Sequence, residues 1–181
     1  MKIVIIAGSP RIESLTRRVA KHLSNELSKH SNVEVNTIDM SETEIPNLQG
    51  VWSSIDQVPT PLQSKAQLIF AADAYIIVTP EFNGSYTPAL KNLLDHFPKR
   101  QRKAFGLVTA SPGMLGGMRA AQQLLLLVPG LFGIASPHLL VVPFVDKKFN
   151  ENGELTDAQF APAVKNFVDE FYWLASSITK K

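Results

Sequence analysis

The feature that most constrains this chain is its series of short apolar runs, some of which lack polar alternation. "KIVIIA" at Lys2–Ala7 and "AYIIV" at Ala74–Val78 are continuous and rich in β-branched residues. A strand with one wet face alternates polar and apolar residues. Continuous runs therefore read as strands covered on both faces, as in a parallel sheet. "VEVNTI" at Val33–Ile38, "KAFGLVTA" at Lys103–Ala110 and "HLLVVP" at His138–Pro143 read as three further strands.

Helical patterns separate them. Ser14–Lys29 carries apolar residues at Leu15, Val19, Leu23 and Leu27, a stripe of period near four. Leu62–Ala72, Ala89–Phe97 (with Pro88 suited to its first turn) and Met118–Val128 read as helices. Thr156–Ile178 reads as a long final helix with Thr156 as its cap. Asp39–Pro61 is irregular and polar, holding three prolines and Trp52, and connections of that length are often functional.

Strands alternating with helices imply right-handed βαβ units and a parallel sheet. Five strands and about five helices suit an α/β, flavodoxin-like, doubly wound sheet of order 2-1-3-4-5. We expect one domain over residues 1–181, a length that buries roughly 70% of the unfolded surface. Ligands of such sheets bind beyond the carboxyl ends of the strands, where the strand order reverses. Three polar, glycine-bearing breaks fall on that edge: "GSPRIES", "PEFNGSY" and "SPGMLGG".

In the first loop Gly8 permits a tight exit from the strand. Ser9, Ser14 and Thr16 bring hydroxyls, and Arg11 offers a planar fork to an oxyanion. The following helix start adds free N–H groups and a positive dipole end. Together these make a phosphate cup, although Ser14 read alone is an N-cap and Arg11 a surface charge. There is no Rossmann glycine spacing and no P-loop lysine. In the second loop Pro80 and Pro88 fix the ends, and Gly84 lets backbone approach a ligand. Phe82 and Tyr86 could pack beside a planar ring, although Asn83-Gly84 is also ordinary turn chemistry. Glu81 has no histidine or second carboxylate placed to orient it as a base. The third loop holds three glycines before a helix; its N–H groups could meet the carbonyls of a flat heterocycle, and its plainer reading is a hinge. Three such loops on one edge are harder to dismiss than any one of them.

Other classes are excluded. Net charge is +2 and no basic stripe is interleaved with aromatics, so nucleic acid is not expected. "PKRQRK" at Pro98–Lys103 reads as a solvated loop, with attraction of an anionic ligand or partner as the alternative. There is no cysteine, hence no disulfide, thiolate site or cysteine nucleophile. His22, His30, His96 and His138 do not cluster, no metal-ligand spacing occurs, and no serine sits in a nucleophile elbow. The N-terminal apolar run is too short for a signal peptide, and Leu124–Ala135 is broken by Pro129, Gly130 and Gly133. A soluble, cytoplasmic protein without membrane contact is expected. Leu124–Val128 is apolar at five successive positions, so a helix bearing it is apolar all round; its outer face calls for a cover, and we favour a second subunit.

At these residues the sequence resembles the NAD(P)H-dependent FMN reductase family, the flavodoxin-like group of quinone, azo-dye and chromate reductases. "GSPRIESLTRRVA" is similar to its phosphate loop, "PEFNGSYTPALKNLLDHF" to its Pro-Glu-(Tyr/Phe)-Asn-Gly-Ser segment, and "SPGMLGG" to its second flavin loop. The resemblance implies noncovalent FMN. Ser9, Arg11, Ser14, Leu15 and Thr16 would hold the phosphate, Leu15 through backbone alone. Pro80, Glu81, Phe82, Asn83, Gly84 and Ser85 would line one side of the isoalloxazine, largely through backbone. Ser111, Gly113, Gly116 and Gly117 would meet its pyrimidine edge. Thr16 stands where the family often has asparagine.

The chemistry implied is flavin-centred, with no dedicated catalytic side chain. NADPH or NADH would pass a hydride to flavin N5 and leave, and a small acceptor (quinone, azo compound, free flavin or metal oxyanion) would then take its place, a ping-pong exchange. Homodimers and homotetramers are the family habit. The alternative is a flavodoxin-like electron carrier acting on protein partners.

Overall fold

The computed structural model describes residues 1–179. Its parallel sheet is built from β1 (Lys2–Ala7), β2 (Glu34–Asp39), β3 (Ala74–Thr79), β4 (Ala104–Ser111), β5 (Ile134–Ala135) and β6 (Leu140–Pro143). The order is β2-β1-β3-β4, with β5 and β6 both pairing β4. This is the expected doubly wound arrangement with one correction: two short segments share the fifth position. Ser136 N still donates to Phe105 O at 2.7 Å, but Pro137 follows and has no N–H to give. The ladder resumes only where Leu140 opposes Val108. The single domain read over 1–181 includes Lys180 and Lys181, which lie outside the described residues.

Helices cover both faces. α1 (Thr16–Leu27) and α6 (Ala161–Thr179) pack on one, where Val19, Leu23, Leu27, Phe167 and Phe171 meet Ile3, Ile5, Ile76 and Val108. α2 (Gln63–Ala71), α3 (Pro88–Asp95) and α4 (Met118–Gly130) pack on the other, against Val4, Ile6, Tyr75, Ile77 and Phe105. β3 is buried at all six positions, as its unbroken apolar run requires. Each fully buried large side chain contributes about 1.5–3 kcal/mol, so this two-layer burial dominates the favourable side of folding. Leu124 and Val128 of α4 lie in the core, whereas Leu126 is 71% exposed, so the chain's own fold leaves it uncovered.

Three boundaries differ from the sequence expectation. α1 begins at Thr16 rather than Ser14, with Leu15 at its cap position. α6 begins at Ala161, because Asp157 accepts from Gln159 N and starts a 3₁₀ turn first. Thr156 caps nothing; its hydroxyl donates to Lys147 O in a short helix, α5 (Val145–Lys148), that the sequence did not reveal. The 39–61 excursion holds three 3₁₀ turns and is pinned to α3. Trp52 N donates to His96 O at 2.7 Å, and the two rings lie 4.1 Å apart. Arg100 departs from the solvated-loop reading, since its guanidinium lies 5.4 and 5.6 Å from the Phe97 and Phe70 ring centroids.

Candidate functional site

The first loop leaves β1 at Gly8, whose N–H donates to Val78 O at 2.8 Å and so ties the turn to β3. Ser9 is buried, and its Oγ accepts from Arg11 N at 3.3 Å. Ser14 is not an N-cap: its Oγ lies 2.6 Å from Thr16 Oγ1, which brings two hydroxyls together at the start of α1. Among the described residues no side chain of the cap position closes that helix end, and its first turn holds no acid. Arg11 is exposed, with its guanidinium carbon 4.9 Å from the centroid of Phe82 in the second loop. Arg17 is instead consumed by structure: Nε pairs with Asp39 at 2.6 Å, and NH1 donates to Ile12 O at 2.9 Å.

The second loop is a tight reversal. Phe82 N donates to Ser85 O at 2.8 Å and Ser85 N returns the bond at 3.1 Å. Asn83 and Gly84, at φ 51° and 82°, both occupy the left-handed region that this turn demands, which is why Asn-Gly stands there. Beyond it Thr87 caps α3, accepting from Leu90 N at 3.2 Å, and its hydroxyl donates to Gly8 O. The first two loops are thus one hydrogen-bonded unit. Tyr86 lies half-buried beside them, and burial pushes its phenol above the usual tyrosine value.

The third loop is set against the sheet by Gly116. At φ 59° a Cβ there would stand 2.7 Å from Pro143 N and Val141 Cγ1, so only glycine fits. Ser111 Oγ accepts from Gly113 N at 3.0 Å and shapes the turn. A Cβ on Gly117 would lie 3.0 Å from Thr109 Cβ and 3.7 Å from Glu81 Cβ, so the second and third loops meet there.

Two residues were missed by the sequence reading. Arg119, in the first turn of α4, gives its N–H to Glu81 Oε2 at 3.1 Å and its guanidinium to Glu81 Oε1 at 3.5 Å. Glu81 is therefore a remote cap joining two loops, in keeping with its lack of a base's partners. Thr109 pairs in register with Thr79 beneath the same junction, and its Oγ1 is buried without a partner. A glutamate and an arginine 38 positions apart carry no local signal of pairing. The run "LVTA" does place Thr109 near a strand end.

The structure thus brings all fifteen sequence-designated residues to one edge of the sheet. A cavity of about 680 Å³ opens beside the first loop and is lined by Ser14, Leu15, Arg17, Lys21 and Asp39, without reaching the other two loops. One of about 740 Å³ lies between α1 and α6, away from all three. Among the described residues no histidine or carboxylate cluster could hold a metal, and no helix is long and apolar enough to cross a membrane.

A parallel sheet of this order, with three interlocked loops at its carboxyl edge, defines a flavodoxin-like nucleotide-binding protein. The chain belongs to the NADPH-dependent FMN reductase family, whose sequence profile matches residues 1–146. It is 32% identical over 176 residues to an FMN-dependent NADPH-azoreductase of Staphylococcus haemolyticus, covering 94% of this chain and 93% of that one. An azoreductase of the same description from Staphylococcus aureus matches to the same extent. In fold it is similar to FerB, a flavoenzyme NAD(P)H:(acceptor) oxidoreductase of Paracoccus denitrificans, with TM-score 0.76, 21% identity and 97% of each chain covered.

Proposed function

We propose that this protein is an FMN-dependent oxidoreductase that uses NADPH or NADH to reduce small acceptors, azo compounds among them. Family membership carries the reaction class and favours the reductase over the electron carrier. The interlocking of the three loops carries the site, above all Arg11 over Phe82 and Glu81 bridging to Arg119.

The residues suit FMN at both ends. A monophosphate asks for hydroxyls, a cation and free N–H groups. Ser9, Ser14, Thr16, Arg11 and the uncapped start of α1, with Leu15 giving backbone alone, supply them. A flat ring asks for close backbone and a few donors. The reversal at Pro80, Glu81, Phe82, Asn83, Gly84 and Ser85 presents backbone on one side. Ser111, Gly113, Gly116 and Gly117 present it on the other, above the unpartnered hydroxyl of Thr109. When bound, FMN would supply the redox chemistry, hydride exchange between reduced nicotinamide and a small acceptor. The chain's part is to orient and to stabilise charge. Gly113 N and Gly116 N are committed within the third loop, so its contribution to negative charge along that side rests on the positive dipole end of α4. Glu81 occupies part of that helix end and holds the second loop against the third.

We propose also that one domain spans the chain, that it works in the cytoplasm where reduced nicotinamide is supplied, and that it forms a homodimer or homotetramer through the exposed face of α4. The test is an absorbance spectrum of the purified protein with FMN before and after anaerobic NADPH. Bleaching without any partner protein is expected. A protein that fails to bind FMN sinks the flavin reading, and bound FMN that does not bleach supports the carrier.

A further inference from the structure

Phe144 is placed at odds with its chemistry. It follows β6 directly, and its backbone lies at φ 51°, ψ 46°, in the left-handed region. A bulky side chain is a genuine outlier there, and such conformations persist only where the surroundings impose them. Here they do. Gly116 is pressed against Pro143 on one side of the residue, and Val145, fully buried, follows on the other. Phe144 N reaches Gly113 O at 3.4 Å, and Phe144 O accepts from Lys147 N at 3.0 Å.

The ring does not recover this cost by burial, for Phe144 is 39% exposed. Phe132 makes a useful contrast. It too has a positive φ, 59°, but there the conformation ends α4, with Phe132 N donating to Pro129 O and Gly133 N to Val128 O. Phe144 instead sits at the N-cap of the short helix α5, where its side chain makes no cap hydrogen bond. It stands on the sheet edge that carries the site, joined through Gly113 to the loop that exposes Met114 and Leu115. Lys147 Nζ lies 5.5 Å from the ring centroid, so a cation attends the aromatic face.

We propose that Phe144 and Lys147 form the acceptor-side wall of the site and determine which acceptors are reduced, favouring planar aromatic molecules that carry an anionic substituent. The proposal rests on the FMN reductase reading. The ring offers an aromatic acceptor an offset-stacked or edge contact, and Lys147 offers a charge to a sulfonate or carboxylate on it. Neither residue belongs to the fifteen assigned to the cofactor, so acceptor selectivity and FMN retention are separable.

The test uses the FMN-loaded enzyme and three acceptors: a sulfonated azo dye, an uncharged quinone and ferricyanide. Phe144→Asn removes the ring and keeps a residue that tolerates the left-handed backbone. It should raise KM for the dye and the quinone roughly threefold to tenfold. KM for ferricyanide, kcat and the FMN dissociation constant should stay unchanged, and Tm should be equal or higher. Lys147→Gln should raise KM for the anionic dye and ferricyanide but not for the uncharged quinone, and Phe144→Tyr should preserve the parent values. Equal KM changes for all three acceptors, or none, overturn the proposal. So does a changed oligomeric state with unchanged acceptor kinetics, which assigns the ring to a subunit contact. Failure of the parent protein to bind FMN is a separate result and removes the underlying reading instead.

Discussion

Arg11 illustrates how little a residue's surroundings in the protein need to say about its use. Its guanidinium is exposed, stacks on Phe82 and forms no salt bridge among the described residues. The stacking contributes only about 0.5–1 kcal/mol at such a site, whereas a charge-assisted bond to phosphate is worth about 1.5–3 kcal/mol. Arg11→Ala should therefore weaken FMN binding roughly tenfold to a hundredfold with little change in Tm. Titrating FMN fluorescence checks this, and an unchanged affinity removes Arg11 from the phosphate site. Tyr75 shows the reverse case, a residue fixed wholly by the core. It is fully buried, its hydroxyl donates to Ile69 O at 2.6 Å, and burial pushes its phenol up to about 12. The nearby Arg100 charge opposes the shift without cancelling it. A folded value above the unfolded one means the neutral form is favoured by the fold. The contribution is complete below about pH 10 and is lost as pH rises from there through about 12, a loss of about 2–3 kcal/mol. Urea unfolding at pH 9, 10.5 and 12 should show that decline, shallower in Tyr75→Phe; equal slopes in the two proteins refute the assignment.

At the scale of elements, the loops are held by contacts of very different visibility. Asn83-Gly84 and the glycines of the third loop announce themselves, because few other residues adopt left-handed backbone without strain. Gly116→Ala would set a Cβ 2.7 Å from Pro143 N at φ 59°. Strain and overpacking together should cost about 2–4 kcal/mol, read as a lowered urea midpoint with an unchanged m-value. A loss under 1 kcal/mol means the third loop can move off β6. The Glu81–Arg119 bridge was hidden for the opposite reason. Either residue suits any surface, and only the folded path brings α4's first N–H groups to the end of β3. The start of α1 was placed early, at Ser14 rather than Thr16, and the plainer alternative for Ser14 does not hold. A serine before a helical stripe resembles an N-cap, but here it turns to Thr16 and leaves the helix end open. Phe144 was unreadable because its left-handed backbone is imposed by the packing of β6, Gly116 and α5, not by its own chemistry.

For the whole molecule, the sheet order was legible because strands covered on both faces must alternate with helices, and right-handed crossovers leave few topologies. What escaped was the split fifth position: the fifth strand was read as His138–Pro143 alone, whereas Ile134–Ala135 also pairs with β4. The same covering argument bears on assembly. Leu124–Val128 was expected to need cover on two sides, and the core takes Leu124 and Val128 while leaving Leu126 71% exposed, with Leu125 and Met118 also exposed along α4. A two-fold contact would use this face from both copies, so one substitution acts twice. Replacing Leu126 by glutamate removes an apolar group worth about 1.5–3 kcal/mol when buried and opposes two like charges. Leu126→Glu should weaken association by roughly a thousandfold and leave FMN binding intact, since Leu126 lies well along α4 from the third loop. Size-exclusion chromatography with light scattering should then find an oligomer for the parent and a monomer for the variant. A monomeric parent, or a variant that still assembles, would move the interface elsewhere or remove it.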